Sequence, residues 1–419
     1  MLDLKFIRDN PDAVRQALRD RQDSAPVDEI LDIDRQRRAR VLELEELRRS
    51  RKQASRQYRE AAAPGKEAAA AGRDLRSTIR DLEETVKKLD EQLQDLLLRV
   101  PNMPDPAVPI GKGDDDDIIR RQWGKQREFD FTPLPHWDLG ERLGIIDFER
   151  GVKLSGSRFY VLKGLGARLQ RALIQFFLDT HVSEHGYQEI YPPFMVKREV
   201  MVGSGQLPKF ADNIYHDAEE DYWFIGTAEI PLTGLHANEI LPPGTLPLYY
   251  VAYTACFRRE KMSAGKDVRG IKRGHQFDKV EMYKYVEPET SAAELDRLLA
   301  DAEDICRRLG LTYRIRELCT GSIGFTTARS YDIEVWAPGC QEWLEVSSCS
   351  NCTDFQARRA NIRYRPSADE RPRFVHTLNG SGLALPRMMI AVLENYQQAD
   401  GTVAVPGVLQ PYVKAAVIK

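Results

Sequence analysis

The sequence of 419 residues has no apolar run long enough to cross a membrane. A helix that spans a bilayer needs about 20 consecutive apolar residues, and no stretch of this chain approaches that length. The first residues, Met1 to Lys5, also lack the basic region, apolar core and small-residue cleavage site of a secretory signal. These absences predict a cytoplasmic protein without a membrane partner.

Cysteine is scarce, with six residues in the whole chain. This number is too small for a disulfide scaffold, and a reducing compartment leaves such residues as thiols. Cys349 and Cys352, with Cys340 nearby, have the spacing of half a metal site, but no second matched pair is present. We therefore expect packed, reduced cysteines and no structural zinc.

The chain also lacks a large net charge, since its formal value is −3 at pH 7. That value does not indicate nucleic-acid binding by the chain as a whole, so the local distribution matters more. An apolar fraction of 42% and a charged fraction of 30% are typical of a globular protein and exclude a disordered chain. Because a domain usually has about 100–200 residues, we expect two or more units.

Aromatic residues are nearly absent between Val27 and Arg99, where Tyr58 is the sole example. Glu, Arg, Leu, Lys and Gln dominate this segment, a composition typical of long exposed helices. Its second half has apolar residues in alternating steps of four and three, which predicts a coiled-coil seam. The seam is Leu75, Ile79, Leu82, Val86, Leu89, Leu93 and Leu96, and a looser stripe in the first half includes Ile30, Ile33, Val41, Leu44 and Leu47. A turn at Ala61–Gly65 then predicts an antiparallel helical hairpin at about 27–99, preceded by a short helix that starts at Asn10–Pro11.

The two halves of this hairpin carry opposite charge. Between Arg35 and Arg59 ten basic residues stand against three acidic ones, whereas between Asp81 and Asp95 six acidic residues stand against two lysines. One interpretation is that the two helices attract each other. The other is a basic edge that lies along a phosphate backbone and releases counterions on binding, and both can hold at once. The basic residues of this edge that we assign to nucleic-acid binding are Arg35, Arg37, Arg38, Arg48, Arg49, Arg51, Lys52 and Arg56.

A proline-rich connector at 100–109 and an acidic run from Asp114 to Asp117, interpreted as a solvated linker, follow the hairpin. Beyond them, aromatic and β-branched runs at 246–253, 280–286 and 331–336 alternate with helical stretches at 165–183 and 293–309. This order predicts an α+β domain with an antiparallel sheet. We therefore predict a helical arm at 1–105 and a second domain at 106–419.

Three clusters in the second domain carry chemistry. At 256–281 a hairpin brings Arg258 and Glu260 near Phe277 and Glu281, a combination suited to a triphosphate because guanidinium groups bind phosphate with two hydrogen bonds. The alternative is a structural ion pair. At 379–390 a glycine-rich turn is predicted to lead into an apolar helix that contains Arg387, a charge that needs a partner when buried.

The third cluster is Glu345 to Ser348, an acid followed by hydroxyls at the end of a strand. Strict alternation puts Glu345 and Ser348 on opposite faces of that strand, so a shared Mg²⁺ requires the strand to bend or end there. On its own this signal is weak.

The ordered motifs together resemble those of class II aminoacyl-tRNA synthetases. Phe257–Glu260 with its partner strand is similar to motif 2, the segment with Arg387 to motif 3, and Gly186 to Pro193 to motif 1, usually an element of the dimer interface. The sequences at 203–210, 227–229 and 345–359 narrow the resemblance to seryl-tRNA synthetases of the bacterial type, and the hairpin resembles their tRNA-binding arm. The resemblance covers residues 1 to about 410.

The resemblance implies an ATP-dependent ligase that activates L-serine and transfers it to tRNA(Ser), and also to tRNA(Sec) where present, as a homodimer. It assigns serine binding to Thr227, Ala228, Glu229, Glu281, Asn379 and Ser381. It assigns ATP binding to Arg258, Arg259, Glu260, Gly274, Phe277, Glu345, Val346, Ser347, Ser348 and Arg387, with Mg²⁺ on Glu345 and Ser348.

The chain departs from the common family pattern around motif 2, where Arg259, Lys261, Met262 and Gly274 stand. These residues change the bulk and charge of a loop that in the family approaches the tRNA acceptor end. Two other interpretations fit the sequence less well. A paralogue that delivers an aminoacyl group to a carrier protein lacks the arm, and an inactive scaffold has no need of the charged residues of the three clusters.

Overall fold

The computed structural model describes residues 1–60, 66–261 and 269–419, with side chains for 1–54, 72–261 and 269–419. The chain divides into two compact units. One comprises Leu2–Arg19 and Asp23–Pro101, and the other comprises Met1, Asp20–Gln22 and Asn102–Lys419. No helix in the described part of the chain has the length and apolarity that a membrane span needs.

The first unit consists of helices α1 (Leu4–Asp9), α2 (Pro11–Asp20), α3 (Val27–Glu60) and α4 (Lys66–Leu97). The predicted start of a helix at Pro11 is confirmed. Leu44 of α3 packs with Ile79 and Leu82 of α4, so the seam read from the spacing faces the partner helix. The predicted turn at 61–65 lies outside the described residues.

Two ion pairs join α3 to α4, Arg37 with Asp90 and Arg48 with Glu83. A residue later in α3 thus meets a residue earlier in α4, which makes the helices antiparallel. The interpretation that the oppositely charged helices attract each other is therefore confirmed for these two arginines.

The second unit contains seventeen strands among its described residues. They are β1 (Ile118–Trp123), β2 (Ile146–Asp147), β3 (Val161–Leu162), β4 (Gln188–Glu189), β5 (Met195–Lys197), β6 (Tyr222–Phe224), β7 (Ile240–Leu241), β8 (Leu248–Phe257), β9 (Gln276–Val286), β10 (Tyr313–Glu317), β11 (Arg329–Ala337), β12 (Glu342–Thr353), β13 (Arg363–Tyr364), β14 (Arg373–Phe374), β15 (His376–Ala384), β16 (Val403–Ala404) and β17 (Val417–Ile418).

Its helices are α5 (His136–Arg142), α6 (Phe148–Ser155), α7 (Gly164–Ser183), α8 (Arg198–Gly203), α9 (Glu229–Gly234), α10 (Ser291–Arg308), α11 (Phe355–Ala360), α12 (Leu385–Tyr396) and α13 (Gln410–Val413). Short 3₁₀ turns lie at Asp114–Asp116, Ala211–Asn213, Pro288–Thr290 and Gly407–Leu409.

Eight strands form the main sheet, in the order β1-β10-β11-β12-β15-β9-β8-β4. All neighbours pair antiparallel except β4 and β8. The predicted α+β class with an antiparallel sheet is confirmed.

Strand alternation divides the sheet into an apolar and a polar face. On β9, Val280 and Met282 enter the main core, to which α7, α10 and α12 contribute. Lys279 and Glu281 alternate with them and line a cavity on the opposite face. The same face of β9 continues into a second apolar cluster with α9 and α11, which fixes those two short helices beside the cavity.

The glycine-rich turn predicted before Arg387 is wrong, because Gly380 and Gly382 lie inside β15. A Cβ atom on Gly380 would lie 2.9 Å from Cys349 Sγ, and one on Gly382 would lie 3.0 Å from a ring nitrogen of His181. These glycines therefore permit close packing behind the strand, and the register shifts at Gly382.

The solvated linker predicted at Asp114–Asp117 is wrong at its last residue. The side chain of Asp117 is fully buried, with Oδ2 at 3.5 Å from Arg316 Nε. Its Oδ1 accepts a hydrogen bond from the Cys319 amide at 2.9 Å. Asp114 to Asp116 are exposed, as expected.

Candidate active site

A cavity of about 570 Å³ opens on the polar face of the main sheet. This volume lies within the range of about 300–1,000 Å³ that small-molecule sites occupy. Nine of the predicted site residues line it: Thr227, Glu229, Arg258, Glu260, Glu281, Glu345, Ser348, Asn379 and Ser381. A smaller adjoining cavity adds Gly274, Phe277, Val346 and Arg387.

Three predicted residues line neither of these two cavities. Ala228 is fully buried in the second apolar cluster. Ser347 is buried and donates a hydrogen bond to the Ser381 carbonyl at 2.7 Å, which ties β12 to β15. Arg259 donates to the Ile214 carbonyl at 3.0 Å and stacks 4.5 Å from the ring of Tyr215.

Two carboxylates face each other across the end of the cavity predicted to hold serine. Glu229 is the first residue of α9 and Glu281 lies on β9, directly opposite Ser381 on β15. Burial, followed by the negative charge of Glu281, raises the pKa of Glu229 to about 7. Lys279 pairs with Glu281, and the Asn379 amide lies 3.4 Å from its Oε1. This end of the cavity therefore suits a ligand that brings both a positive charge and hydroxyl or amine donors.

Arg258 follows directly after β8, which ends at Phe257. Its Nε donates to the Gly226 carbonyl at 3.1 Å, and the guanidinium lies 5.2 Å from the ring centre of Phe277. Glu260 adopts a left-handed backbone with φ of 51°, so it is not a strand residue as the predicted alternation assumed. Both side chains nevertheless line the cavity, because the chain turns there.

Glu345 and Ser348 line the same cavity because β12 contains a bulge. In the register with β11, Ile333 faces Ser347 and Glu334 faces Glu345, so Val346 is the extra residue. The bend that a shared cation requires is thus present. Burial of the Glu345 carboxylate opposes its ionisation. The positive charges of Arg387, Arg258 and Arg316 favour ionisation more strongly, so the pKa of Glu345 is lowered.

Arg387 lies in the first turn of α12, and its partner is Glu345. Its Nη1 donates to the Glu345 carbonyl at 2.6 Å and lies 3.3 Å from the Glu345 carboxylate. The prediction that Arg387 needs a partner is confirmed.

Sequence reasoning missed Lys279, Asp332 and Gln356. Asp332 lies on β11 opposite Ser348, and burial together with the negative charge of Glu345 raises the pKa of Asp332. The alternation of acids with Ile333 and Val335 was the available signal for Asp332. No pattern in the sequence around Gln356 indicates its contact with Glu229, because the two residues lie on helices that are distant in sequence.

The three cysteines with the spacing of a possible half metal site lie in two different environments. Cys349 and Cys352 are fully buried, and burial raises the pKa of Cys349 to about 12. Cys340 instead meets His136 and Glu394, with ligand atoms that all lie within 4.8 Å of one another. Glu394 accepts hydrogen bonds from His136 and from Cys340 at 3.0 Å each. These three side chains are therefore already joined by hydrogen bonds.

Most basic residues assigned to nucleic-acid binding are exposed on their own unit, whereas Arg37 is half-buried and pairs with Asp90 of α4. Within α3, Arg35, Arg38 and Arg49 pair with acids one turn away. Arg51 and Lys52 are exposed and form no ion pair with any described side chain. The side chain of Arg56 lies outside the described residues.

Comparison with known proteins decides the family. Residues 1–104 match the family described as the seryl-tRNA synthetase N-terminal domain, and residues 210–396 match the tRNA synthetase class II core domain (G, H, P, S and T). A serine–tRNA ligase of Dehalococcoides mccartyi is 61% identical over 419 residues, which is all of both chains. The chain belongs to the seryl-tRNA synthetase family.

Other members of the family agree over the full length. A serine–tRNA ligase of Thermomicrobium roseum is 60% identical over 415 residues, 99% of this chain and 93% of that protein. The crystal structure of seryl-tRNA synthetase from Pyrococcus horikoshii complexed with ATP has a TM-score of 0.93 at 41% identity and covers 100% and 99% of the two chains. The cytoplasmic enzyme of Naegleria fowleri in complex with AMP has a TM-score of 0.88 at 30% identity. The resemblance, fold class and ligase class predicted from the sequence are confirmed.

Proposed function

We propose that this chain activates L-serine with ATP to seryl-adenylate and transfers the seryl group to the 3′ end of tRNA(Ser), and of tRNA(Sec) where an organism has one. The observation that carries the proposal is the shared cavity. It places two carboxylates and hydroxyls next to Arg258, Glu345 and Ser348, with the Phe277–Arg387 cavity adjoining. Such a site accommodates an amino acid and a nucleotide side by side.

Serine binds, in this proposal, between Thr227, Glu229, Glu281 and Ser381. The Glu229 carboxylate attracts the serine ammonium group. Glu281 accepts a hydrogen bond from the serine hydroxyl, and Asn379 and Ser381 are the neighbouring polar groups that help to hold it. A pocket whose buried polar groups need a hydroxyl rejects an analogue without it by about 10⁴–10⁵-fold. Alanine is therefore excluded by chemistry, whereas threonine must be excluded by the size of one methyl group.

ATP binds with its adenine against Phe277 and its phosphates between Arg258 and Arg387. Two arginines on opposite sides of a phosphate chain neutralise its charge and keep the α-phosphorus in line with the serine carboxylate. The carboxylate oxygen attacks that phosphorus, a new P–O bond forms, and pyrophosphate leaves with the bonding electrons. The products are seryl-adenylate and pyrophosphate.

The donor set beside the phosphates fits Mg²⁺. Glu345 and Ser348 offer oxygen atoms on one face, and the buried Oδ1 of Asp332 has no hydrogen-bond partner among the described groups. Oxygen ligands together with substrate phosphates are what Mg²⁺ prefers. When bound, the ion neutralises charge on the departing pyrophosphate.

The arm, in the same proposal, binds the tRNA and the rest of the chain performs the chemistry. In this proposal the arm comprises residues 1–105 and the catalytic domain residues 106–419. The support is the exposed basic row of α3, whose side chains are accessible to phosphates. An α-helix rises about 1.5 Å per residue, so α3 has a long reach. A cytoplasmic location follows if the enzyme serves translation.

A homodimer completes the proposal. The segment similar to motif 1, Gly186 to Pro193, includes Tyr191, which is 80% exposed. At the edge of the main sheet, β1 exposes Ile118, Ile119 and Trp123. Exposed apolar groups on an edge strand favour association with a second chain.

The test is ATP–pyrophosphate exchange with each of the standard amino acids, followed by charging of unfractionated tRNA. We expect exchange with serine, none with alanine, and transfer of serine to tRNA. Exchange without charging would instead support a paralogue that serves another acceptor, and no exchange with any amino acid would support an inactive scaffold.

A further inference from the structure

Gln356, on α11, is fully buried and does not line the cavity, yet its amide reaches the site. Its Nε2 donates to Glu229 Oε1 at 2.6 Å and to the Ser204 carbonyl at 3.0 Å. A hydrogen bond to a charged acceptor is shorter and stronger than a neutral one. Among the described residues, Gln356 thus gives the Glu229 carboxyl group a short, direct side-chain hydrogen bond.

The orientation of the Gln356 amide follows from its neighbours. A backbone carbonyl can only accept, so the atom 3.0 Å from the Ser204 oxygen must be the amide nitrogen. On the other side, Oε1 accepts from the Tyr283 hydroxyl at 3.0 Å and the Thr377 hydroxyl at 2.7 Å. A flipped amide would place oxygen against oxygen at both Glu229 and Ser204. The network thus admits one orientation, with the donor toward Glu229.

We propose that Gln356 is a positioning residue for serine recognition, which holds the Glu229 carboxylate in place through a hydrogen bond that Tyr283 and Thr377 orient from behind. The inference rests on the proposed function, because it takes Glu229 as the group that meets the serine ammonium. Gln356 touches no part of the cavity itself, so it acts through Glu229.

The charges around Glu229 explain why this donor matters. Glu281 repels the carboxylate from β9, while Lys279 on the same strand and Arg258 after β8 attract it. Cys352 faces it from β12, and Tyr283 lies on the same side of β9 as Glu281. With burial and Glu281 both opposing ionisation, removal of the amide donor takes away one of the few groups that favour the charged form.

The test compares Gln356→Met with Gln397→Met in serine-dependent ATP–pyrophosphate exchange. Gln397 is a matched control, because it is 1% exposed and its amide likewise joins backbone groups, the Leu134 and Glu394 carbonyls. Loss of a hydrogen bond to a charged group is expected to raise the serine KM of Gln356→Met by about tenfold or more at pH 7.5. The KM for ATP should change by less than about twofold, since Gln356 meets no predicted nucleotide group.

The pH profile gives a second readout that a purely structural role would not move. In Gln356→Met the rise of kcat/KM for serine should shift to higher pH than in the wild-type protein, whereas Gln397→Met should keep the wild-type profile. Tyr283→Phe, which keeps the ring and removes one donor to Gln356, should raise the serine KM by about two- to fivefold.

The outcomes separate this inference from the proposed function. A wild-type chain that shows no serine-dependent exchange removes the proposed function. Wild-type exchange with an unchanged serine KM in Gln356→Met and Tyr283→Phe overturns only the positioning role. Equal losses in Gln356→Met and Gln397→Met, with both KM values altered, would also overturn it in favour of general destabilisation.

Discussion

The two units of the chain use charge in opposite ways. In the helical unit the ion pair between Arg48 and Glu83 joins side chains that are 52% and 45% exposed. In the other unit Lys284 is fully buried and lies 3.0 Å from Glu294. Solvent and salt screen the first kind of pair, whereas a buried charge depends on its particular partner. The helical unit therefore contains charge pairs that can be replaced at little cost, whereas the second unit contains buried pairs in which each charge depends on one partner.

The same contrast holds at the site. Glu229 and Asp332 have raised pKa values because burial and a neighbouring acid act on each. The arm arginines Arg35, Arg48 and Arg49 instead have exposed side chains. We expect substitutions in the two units to differ in size, in salt dependence and in the step they affect.

The largest effect is expected at Arg258, with its sequence neighbour Arg259 as the matched control. Arg258→Ala removes a positive charge from the cavity, and loss of one such transition-state contact costs about 10²–10³-fold in kcat. Arg259→Ala removes a side chain that stacks on Tyr215 outside the two cavities. We expect it to keep exchange within about fivefold of wild type. Steady-state ATP–pyrophosphate exchange measures kcat for both variants. Equal losses of kcat in Arg258→Ala and Arg259→Ala would show that the position of the side chain in the cavity does not decide the effect.

A smaller effect is expected from the arm, and only in tRNA charging. Replacement of Arg48, Arg49, Arg51 and Lys52 by Gln together should lower kcat/KM for tRNA by about 10–100-fold near 0.15 M salt, because each lost phosphate contact removes counterion release. The salt dependence of charging should flatten as well. Serine-dependent exchange should be unchanged.

Lys87 and Lys88 on α4 provide the control for that variant. Each forms an ion pair within α4, with Glu91 and Glu84 respectively. Their replacement by Gln should leave tRNA charging within about twofold of wild type, since α4 carries net negative charge between Asp81 and Asp95. A loss as large as that of the α3 variant would assign tRNA binding to the hairpin without regard to the basic edge.

The sequence predicted those features that depend on local spacing. The seam of α4 and the alternation of β9 follow from periods near 3.5 and 2, which are visible within a short window. The family motifs then predicted which polar side chains would meet. Thr227, Glu281 and Arg258 come from separate elements and line one cavity. Their roles in serine and ATP binding stay predictions.

The features that sequence reasoning missed depend on contacts between distant segments. Whether Gly380 and Gly382 form a turn or permit close packing is decided by Cys349 and His181. The bulge at Val346 is a property of the register with β11, and the burial of Asp117 depends on Arg316. Such facts are absent from any window of the chain around the residue concerned.

The pH dependence of stability offers a test of the buried carboxylate. The pKa of Glu229 is raised to about 7 from an ordinary value of 4.5, so between these values the folded chain holds a proton that the unfolded chain has lost. Stability therefore falls as pH rises through this window, and the full penalty is present above pH 7. Glu229→Gln should be more stable than wild type by on the order of 2 kcal/mol at pH 8 and much less so at pH 5.

Chemical denaturation of both proteins at the two pH values measures this difference, while exchange with serine should fall in Glu229→Gln at either pH. An equal stability difference at pH 5 and pH 8 would show that Glu229 is ionised throughout in the folded chain. The Gln side chain retains an oxygen that can accept from Gln356, so the comparison isolates the charge.

The smallest effect is expected for the exposed pair of Arg48 and Glu83, whose side chains lie 2.7 Å apart. A double-mutant cycle with Arg48→Gln and Glu83→Gln should give a coupling energy below about 1 kcal/mol, because both groups remain hydrated and lose side-chain entropy when they pair. The same cycle for Lys284 and Glu294, measured as free energies of unfolding, should exceed it severalfold, since either single variant leaves a buried charge without its nearest partner. Raising the salt concentration should abolish the first coupling and leave most of the second. Equal coupling energies would contradict the contrast between the two units. Specific ion pairs, and not the apolar seam, would then stabilise the helical arm.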